Sequence, residues 1–128
     1  MNSSYDGVVF HRISKDFIIQ AGAEYADGSN TPDTPVIRGE FKSNNFNNNI
    51  GHTKGTLSMA RSSDPNSASN QFFICTGNPT FLDPDYAAFG RLVDGLDTLD
   101  QLNNTPREEH SLERPVDPPV MIKVYIAK

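Results

Sequence analysis

The fold class this chain predicts is mainly β: an antiparallel sandwich or barrel carrying one clear helix. Three observations predict it. Short apolar runs of period two recur along the chain, turn residues break them at close spacing, and a single stretch repeats its leucines at helical steps. The alternation of strands and helices that builds a parallel sheet is missing, and no internal repeat stands out. At 128 residues the chain reads as one domain over 1–128, long enough to bury a core.

The first two strands flank a polar bend within 7–22. Val8, Val9, Phe10 and Ile13 suit a pleated surface. Strict alternation puts Arg12 on the face of Val8 and Phe10. An unpaired cation there is costly to bury. Arg12 therefore reaches a rim, pairs with a carboxylate such as Glu24 or Glu40, or sits where a ligand needs it. The second run ends in Gln20-Ala21-Gly22, an amide followed by two small residues that admit another backbone at close range. Arg12, Phe17 and Gln20 together suggest a site with one cation, one amide and an apolar floor.

The remaining elements follow in order. Residues 23–35 are turn chemistry, centred on Asp27-Gly28-Ser29-Asn30-Thr31-Pro32-Asp33. A short strand is expected over 36–41, then an asparagine-rich loop over 42–51 anchored by Phe46. Residues 55–60 alternate as a strand, and 61–70 form a polar loop. The strongest strand is 71–76, with Gln71 and Phe73 on one face and Phe72 and Ile74 on the other. A helical turn or tight loop follows over 80–85, then a strand over 86–92 interrupted by Gly90. Val93, Leu96, Leu99 and Leu102 predict a helix over 94–103. Residues 105–119 are a proline-bearing loop. A closing strand is expected over 119–127, with Val120, Ile122, Val124 and Ile126 on one face.

Composition narrows the chemistry. A formal net charge of -5 disfavours nucleic acid and anionic membranes as partners, since both call for clustered basic residues. No apolar run approaches membrane-spanning length, and the start of the sequence shows no basic-then-apolar leader pattern. The single cysteine, Cys75, forms no intrachain disulfide and fits a reducing, cytoplasmic setting. His11, His52 and His110 have no ligand spacing, so no metal is expected. His11 alternates away from Arg12 and reads as a hydrogen-bonded core or second-layer residue. Elbow, phosphate-loop and zinc-binding motifs do not occur. The expected chemistry needs donors and aromatic rings rather than a proton shuttle, metal or nucleotide.

Several motifs then fall in order across almost the whole chain: Tyr5-x-Gly7-x-x-Phe10-His11-Arg12, Phe17-Ile18-Ile19-Gln20-Ala21-Gly22, Leu57-Ser58-Met59-Ala60, Gln71-Phe72-Phe73-Ile74 and Phe89-Gly90. In these the sequence resembles the cyclophilins, which are peptidyl-prolyl cis-trans isomerases. The resemblance implies a cyclophilin-like antiparallel β-barrel and catalysis of rotation about X-Pro bonds, assisting protein folding without a cofactor. It implies Arg12 as the main catalytic group and Gln20 hydrogen-bonding beside the reacting amide. Phe17, Ile18, Phe73 and Leu82 would receive the proline ring. Backbone groups at Arg61, with Ala60 beside them in the substrate-binding set, and the side chain of Gln71 would hold the flanking peptide. Phe81 stands where many relatives have tryptophan, and Tyr86 where many have histidine; both belong to the implied substrate-binding set. Arg61 stands in a position commonly asparagine. The implied partners are proline-containing peptides and unfolded clients, with cyclosporin bound weakly because Phe81 lacks an indole N–H.

One departure bears on the fold. The family's domain normally begins before Tyr5 with two strands and a helix that help close an eight-stranded barrel. The barrel here is expected to be N-terminally shortened and incompletely closed, with unpaired edges and exposed apolar surface. Two other readings follow from that: a catalytically weak proline-peptide binding module, or a fragment that needs a partner chain to complete the barrel.

Overall fold

The computed structural model describes residues 4–111 and 113–127. Five strands form one antiparallel sheet: β1 (Val8–Ser14), β2 (Ile18–Tyr25), β3 (Thr56–Met59), β4 (Phe72–Cys75) and β5 (Ala88–Arg91), in the order β1-β2-β4-β3-β5. The outer strands β1 and β5 do not pair with each other, so the barrel is open, as expected. One helix, α1 (Leu96–Asn103), and two short 3-10 turns, Lys42–Asn44 and Thr80–Leu82, complete the regular elements.

The sheet is apolar on both faces. One face packs Phe10, Ile13, Ile19, Ala21 and Ile74 against Leu99 of α1. The other gathers Ile18, Phe73, Cys75 and Leu82. The period-two split foreseen in the strongest strand holds, with Phe73 on the second face and Ile74 on the first.

In β1 strict alternation fails. Its pairing with β2 shifts register between Val8 and Phe10 and again between Phe10 and Arg12. These irregularities change the phase of the strand. Phe10 and Ile13 therefore enter the same core cluster, and Arg12 lies opposite Gln20, away from Phe10.

Gly22 meets the expectation of close approach. Its φ is +115°, and a Cβ there would lie 2.4 Å from the Asn70 carbonyl oxygen. The β1–β2 turn is tied to the helix: Asn103 of α1 accepts the Asp16 N–H at 2.9 Å and donates to the Asp16 carboxylate at 2.9 Å. Asp16 takes φ 59°, a left-handed conformation that aspartate tolerates. That bond fixes the turn directly before Phe17.

Other expectations need correction. The stretch 36–41 is not a strand; only Ile37 bridges, to Ala68. The aromatic anchor of that region is Phe41, 2% exposed, rather than Phe46, because the Phe41 ring packs under Gly39. The helix starts after Val93, which is 96% exposed, since Gly95 adopts a positive φ and resets the chain. Leu99 and Leu102 face the core; Leu96 is half exposed.

The closing strand shrinks to an isolated bridge between Val9 and Val120. Met121, not Val120, packs on the core, while Ile122, Val124 and Ile126 remain exposed. Bonds from Phe10 N to Pro119 O (2.9 Å) and from Met121 N to Val8 O (2.8 Å) hold its start. Among the described residues its far side has no neighbouring strand to extend the ladder.

Candidate functional site

The second face of the sheet carries the site. β1 and β2 present Arg12, Ile18 and Gln20, β4 presents Phe73, and the turn after Pro79 brings in Phe81 and Leu82. Phe17, Ile18, Phe73, Phe81, Leu82 and Tyr86 line a cavity of about 360 Å³ together with Ala60, and Arg12, Gln20 and Arg61 stand on its wall. A volume of that order lies at the small end of ligand pockets. Gln71 lies in the adjoining hollow, about 320 Å³, which shares Gln20, Ala60 and Arg61 and adds Ser62, Ser67 and Ser69. Every residue singled out from the sequence thus falls on one of two adjoining cavities. A larger hollow of about 630 Å³ near Tyr5 and Tyr25 contains no charged side chain.

The floor is buried and the rim is exposed. Ile18, Phe73 and Leu82 are buried. The Phe17 and Phe81 rings stack at 5.9 Å with 16° between planes, and Phe81 is 70% exposed, so this pair forms the rim. Tyr86 meets Phe73 edge-on at 6.0 Å.

The polar wall is a relay. Arg12 Nη1 donates to Gln20 Oε1 at 3.2 Å, and Gln20 Nε2 donates to Gln71 Oε1 at 2.9 Å. Gln20 therefore orients Arg12 and has one amide hydrogen left over; Gln71 keeps its own NH₂ free of the relay. The Arg12 Nε–H pairs with Glu113, not with Glu24 or Glu40. The Arg12 guanidinium holds the Glu113 carboxyl below its ordinary range. Glu24 instead forms a bidentate pair with Arg114 at 2.7 and 3.0 Å.

Arg61 is committed to structure. Its guanidinium lies 4.8 Å from the Phe41 ring centroid and 4.6 Å from that of Tyr86. It donates to the carbonyls of Asp85 (2.7 and 3.2 Å) and Ser62 (2.9 Å).

Two histidines depart from expectation. His11 is not hydrogen-bonded through Nδ1, which is buried with no partner among the described residues. Burial lowers its pKa, with Glu24 pulling the other way. His52, set aside in the sequence for lack of ligand spacing, is fully buried behind Phe73, its ring stacked on Phe73 at 6.0 Å. Its Nδ1 bonds Asp83 at 2.8 Å and its Nε2 bonds Ser58 at 2.9 Å. Burial opposes ionisation of Asp83, yet donors from His52 outweigh it and lower the pKa. The signal available in the sequence was its place just before a strand whose Ser58 points inward. Three or more side chains able to hold a metal do not come together among the described residues. No helix among those residues is long and apolar enough to cross a membrane.

Comparison with known proteins agrees with this geometry. The family model for cyclophilin type peptidyl-prolyl cis-trans isomerase/CLD matches residues 1–126. A peptidyl-prolyl cis-trans isomerase of Acinetobacter baylyi is 34% identical over 98% of this chain and 68% of its own length. A peptidyl-prolyl cis-trans isomerase-like 3 of Gallus gallus is 38% identical over 82% of this chain and 63% of its own. Peptidyl-prolyl cis-trans isomerase A of Dickeya dadantii is 33% identical, and the chain spans 55% of its length. Among solved structures, a Cryptosporidium parvum cyclophilin type peptidyl-prolyl cis-trans isomerase, crystallised in the presence of the dipeptide Ala-Pro, superposes with a TM-score of 0.78. It is 29% identical, with 98% of this chain and 77% of that one covered. With an open β-sheet of matching fold, an aromatic cavity and an arginine on its wall, this chain belongs to the cyclophilin-type peptidyl-prolyl cis-trans isomerase family.

Proposed function

We propose that this chain accelerates cis/trans rotation about X-Pro bonds in exposed or unfolded segments of cytoplasmic proteins, with Arg12 as the catalytic residue. The observation that carries the reading is the cation on the wall of an apolar cavity, oriented by Gln20. The X-Pro barrier is about 18–20 kcal/mol because the amide nitrogen shares its lone pair with the carbonyl. At the half-turned geometry that sharing is broken and the lone pair becomes an acceptor. A guanidinium donor aimed at that nitrogen binds little in the planar ground state and much in the twisted one.

The remaining groups confine rotation to one bond. Phe73, Leu82 and Ile18 grip the proline ring, while Gln71 and backbone groups near Ala60 hold the preceding residues. Uncatalysed exchange takes about 10–100 s. Millisecond turnover then requires about 5–7 kcal/mol of transition-state stabilisation. A preorganised charged donor together with positioning supplies that order of magnitude. Cyclosporin binds weakly in this reading, since Phe81 offers a ring without a donor; Phe81→Trp tightens it, measured by fluorescence titration.

The cytoplasmic setting is supported by the lone, fully buried Cys75. A second reading, a proline-peptide binding module, is favoured by the open sheet, in which β1, the strand that carries Arg12, has a sheet strand on one side only. NMR exchange on a short X-Pro peptide separates the two. Faster exchange with the intact chain, lost in Arg12→Ala while the peptide still binds, supports the isomerase. Binding without faster exchange supports the module.

A further inference from the structure

The geometry points to Glu113 as a positioning residue that presents the Arg12 guanidinium to the cavity, an inference that rests on the isomerase reading above. Arg12 carries five N–H donors in one rigid plane. Glu113 takes the Nε–H on one edge, and Gln20 takes an Nη1 hydrogen. Contacts on two edges of a planar group fix its orientation; either alone leaves it free to swing about the other. Among the described residues Nη2 has no protein acceptor, and Arg12 lines the cavity, so the remaining donors are those a peptide meets.

Glu113 is itself held in place. Its carbonyl accepts the Ile13 N–H at 2.7 Å, which registers its backbone to the residue beside Arg12. Ser111 Oγ accepts the N–H groups of Glu113 and Arg114 at 3.3 and 2.9 Å. Arg114 grips Glu24 through both carboxylate oxygens. Consecutive residues of one loop thus clasp neighbouring strands, Glu113 on β1 and Arg114 on β2. An ion pair between two free, half-exposed side chains contributes little. Here the backbone of the carboxylate is already anchored, so less freedom is lost in making the contact. A carboxylate also gives a charge-assisted bond, stronger than an amide would. What the carboxylate sets is the direction of the guanidinium.

The consequence falls on rotation rather than binding. The contact between guanidinium and amide nitrogen exists only in the twisted state, whereas the ring cavity and Gln71 act throughout. Loss of orientation therefore lowers kcat and spares KM.

The test compares five proteins on a short X-Pro peptide by NMR exchange: the intact chain, Arg12→Ala, Glu113→Ala, Glu113→Gln and Arg114→Ala. Glu113→Ala is expected to lower kcat about tenfold with KM little changed. Glu113→Gln, which keeps an oxygen acceptor for Nε, retains kcat within about threefold. The Arg12 Nε–H resonance exchanges slowly with water in the intact chain and in Glu113→Gln, and fast in Glu113→Ala. Arg114→Ala lowers the melting temperature and lowers kcat per folded molecule less than Glu113→Ala does, because the Ile13 N–H still holds the Glu113 carbonyl.

Parent-like or faster exchange in Glu113→Ala overturns the inference. So does an equal loss of kcat in Arg114→Ala, which would assign the effect to loop anchoring, or a loss that Glu113→Gln does not rescue. If the intact chain gives no faster exchange than free peptide, the isomerase reading fails; if Arg12→Ala exchanges the peptide at the parent's accelerated rate, that reading survives but Arg12 is not its catalyst, and this inference is overturned.

Discussion

Replacing His52 by leucine tests whether the wall behind the aromatic cavity depends on a buried polar chain. His52 and Ser58 are both 0% exposed, and the Ser58 hydroxyl bonds His52 Nε2 at 2.9 Å. Leucine fills much of the space but leaves that hydroxyl unpaired, at a cost of about 1–3 kcal/mol. The other half of the chain loses less. The Asp83 side chain is 37% exposed, so its carboxylate returns to water, and it keeps the backbone N–H of residue 52, now at 2.6 Å. That loss adds about 0.5 kcal/mol after solvent screening. The sum is about 1.5–3.5 kcal/mol, and with a urea m-value of about 1.5 kcal/mol/M the midpoint falls by about 1–2 M. Ser58→Ala added to His52→Leu removes the orphaned hydroxyl and recovers about 1 kcal/mol or more, so the two substitutions couple. Phe73, stacked on the His52 ring, loses its backing in the single variant, and the peptide Kd rises. A His52→Leu midpoint within error of the parent, or strictly additive single and double variants, would refute the reasoning.

Gly22→Ala should destabilise the chain by about 2–4 kcal/mol in the same assay. The positive φ disfavours alanine, and its methyl would overlap the Asn70 carbonyl and Gln71 Cα at 2.4 and 2.8 Å. Cys75, fully buried, has its thiol pKa pushed up to about 12 by burial and, second, by the Asp83 charge. Alkylation by iodoacetamide at pH 8 should therefore be slow in the native protein and fast in urea. The Arg114 side chain donates to Glu24 and holds its carboxyl below the ordinary range. A depressed carboxyl pKa stabilises the fold above its unfolded value and loses that contribution as pH falls through the folded value. Arg114→Ala should thus be less stable than the parent at pH 7, with the difference shrinking below about pH 4; a constant difference down to pH 2 would count against the pair.

How much of the site was legible depends on the range of the forces involved. Period-two patterning located β1, β2, β3 and β4, because side-chain alternation is a property of the local backbone. It misplaced Arg12 relative to Phe10, because the register shifts in β1 arise from pairing with β2 and leave no mark on β1 alone. The stretch 119–127 alternates as well as any strand in the chain, yet only Val120 bridges. Its fate turns on whether a neighbour exists, which a one-dimensional pattern does not encode. Val93 continued the leucine spacing but stands outside the helix, since Gly95 turns the chain between them.

By itself the sequence determined the mainly β class, the single helix among the described residues, the close approach at Gly22 and the site residues that gather at two adjoining cavities. These follow from backbone sterics, local periodicity and residue chemistry. Only the tertiary structure decided the partners. It put Glu113, 101 residues along the chain, on Arg12, gave Glu24 to Arg114, set His52 between Asp83 and Ser58, and consumed the Arg61 guanidinium on backbone carbonyls and two aromatic rings. The physical reason is that a charged or polar side chain pairs with whatever partner the packing of distant segments brings within about 3 Å.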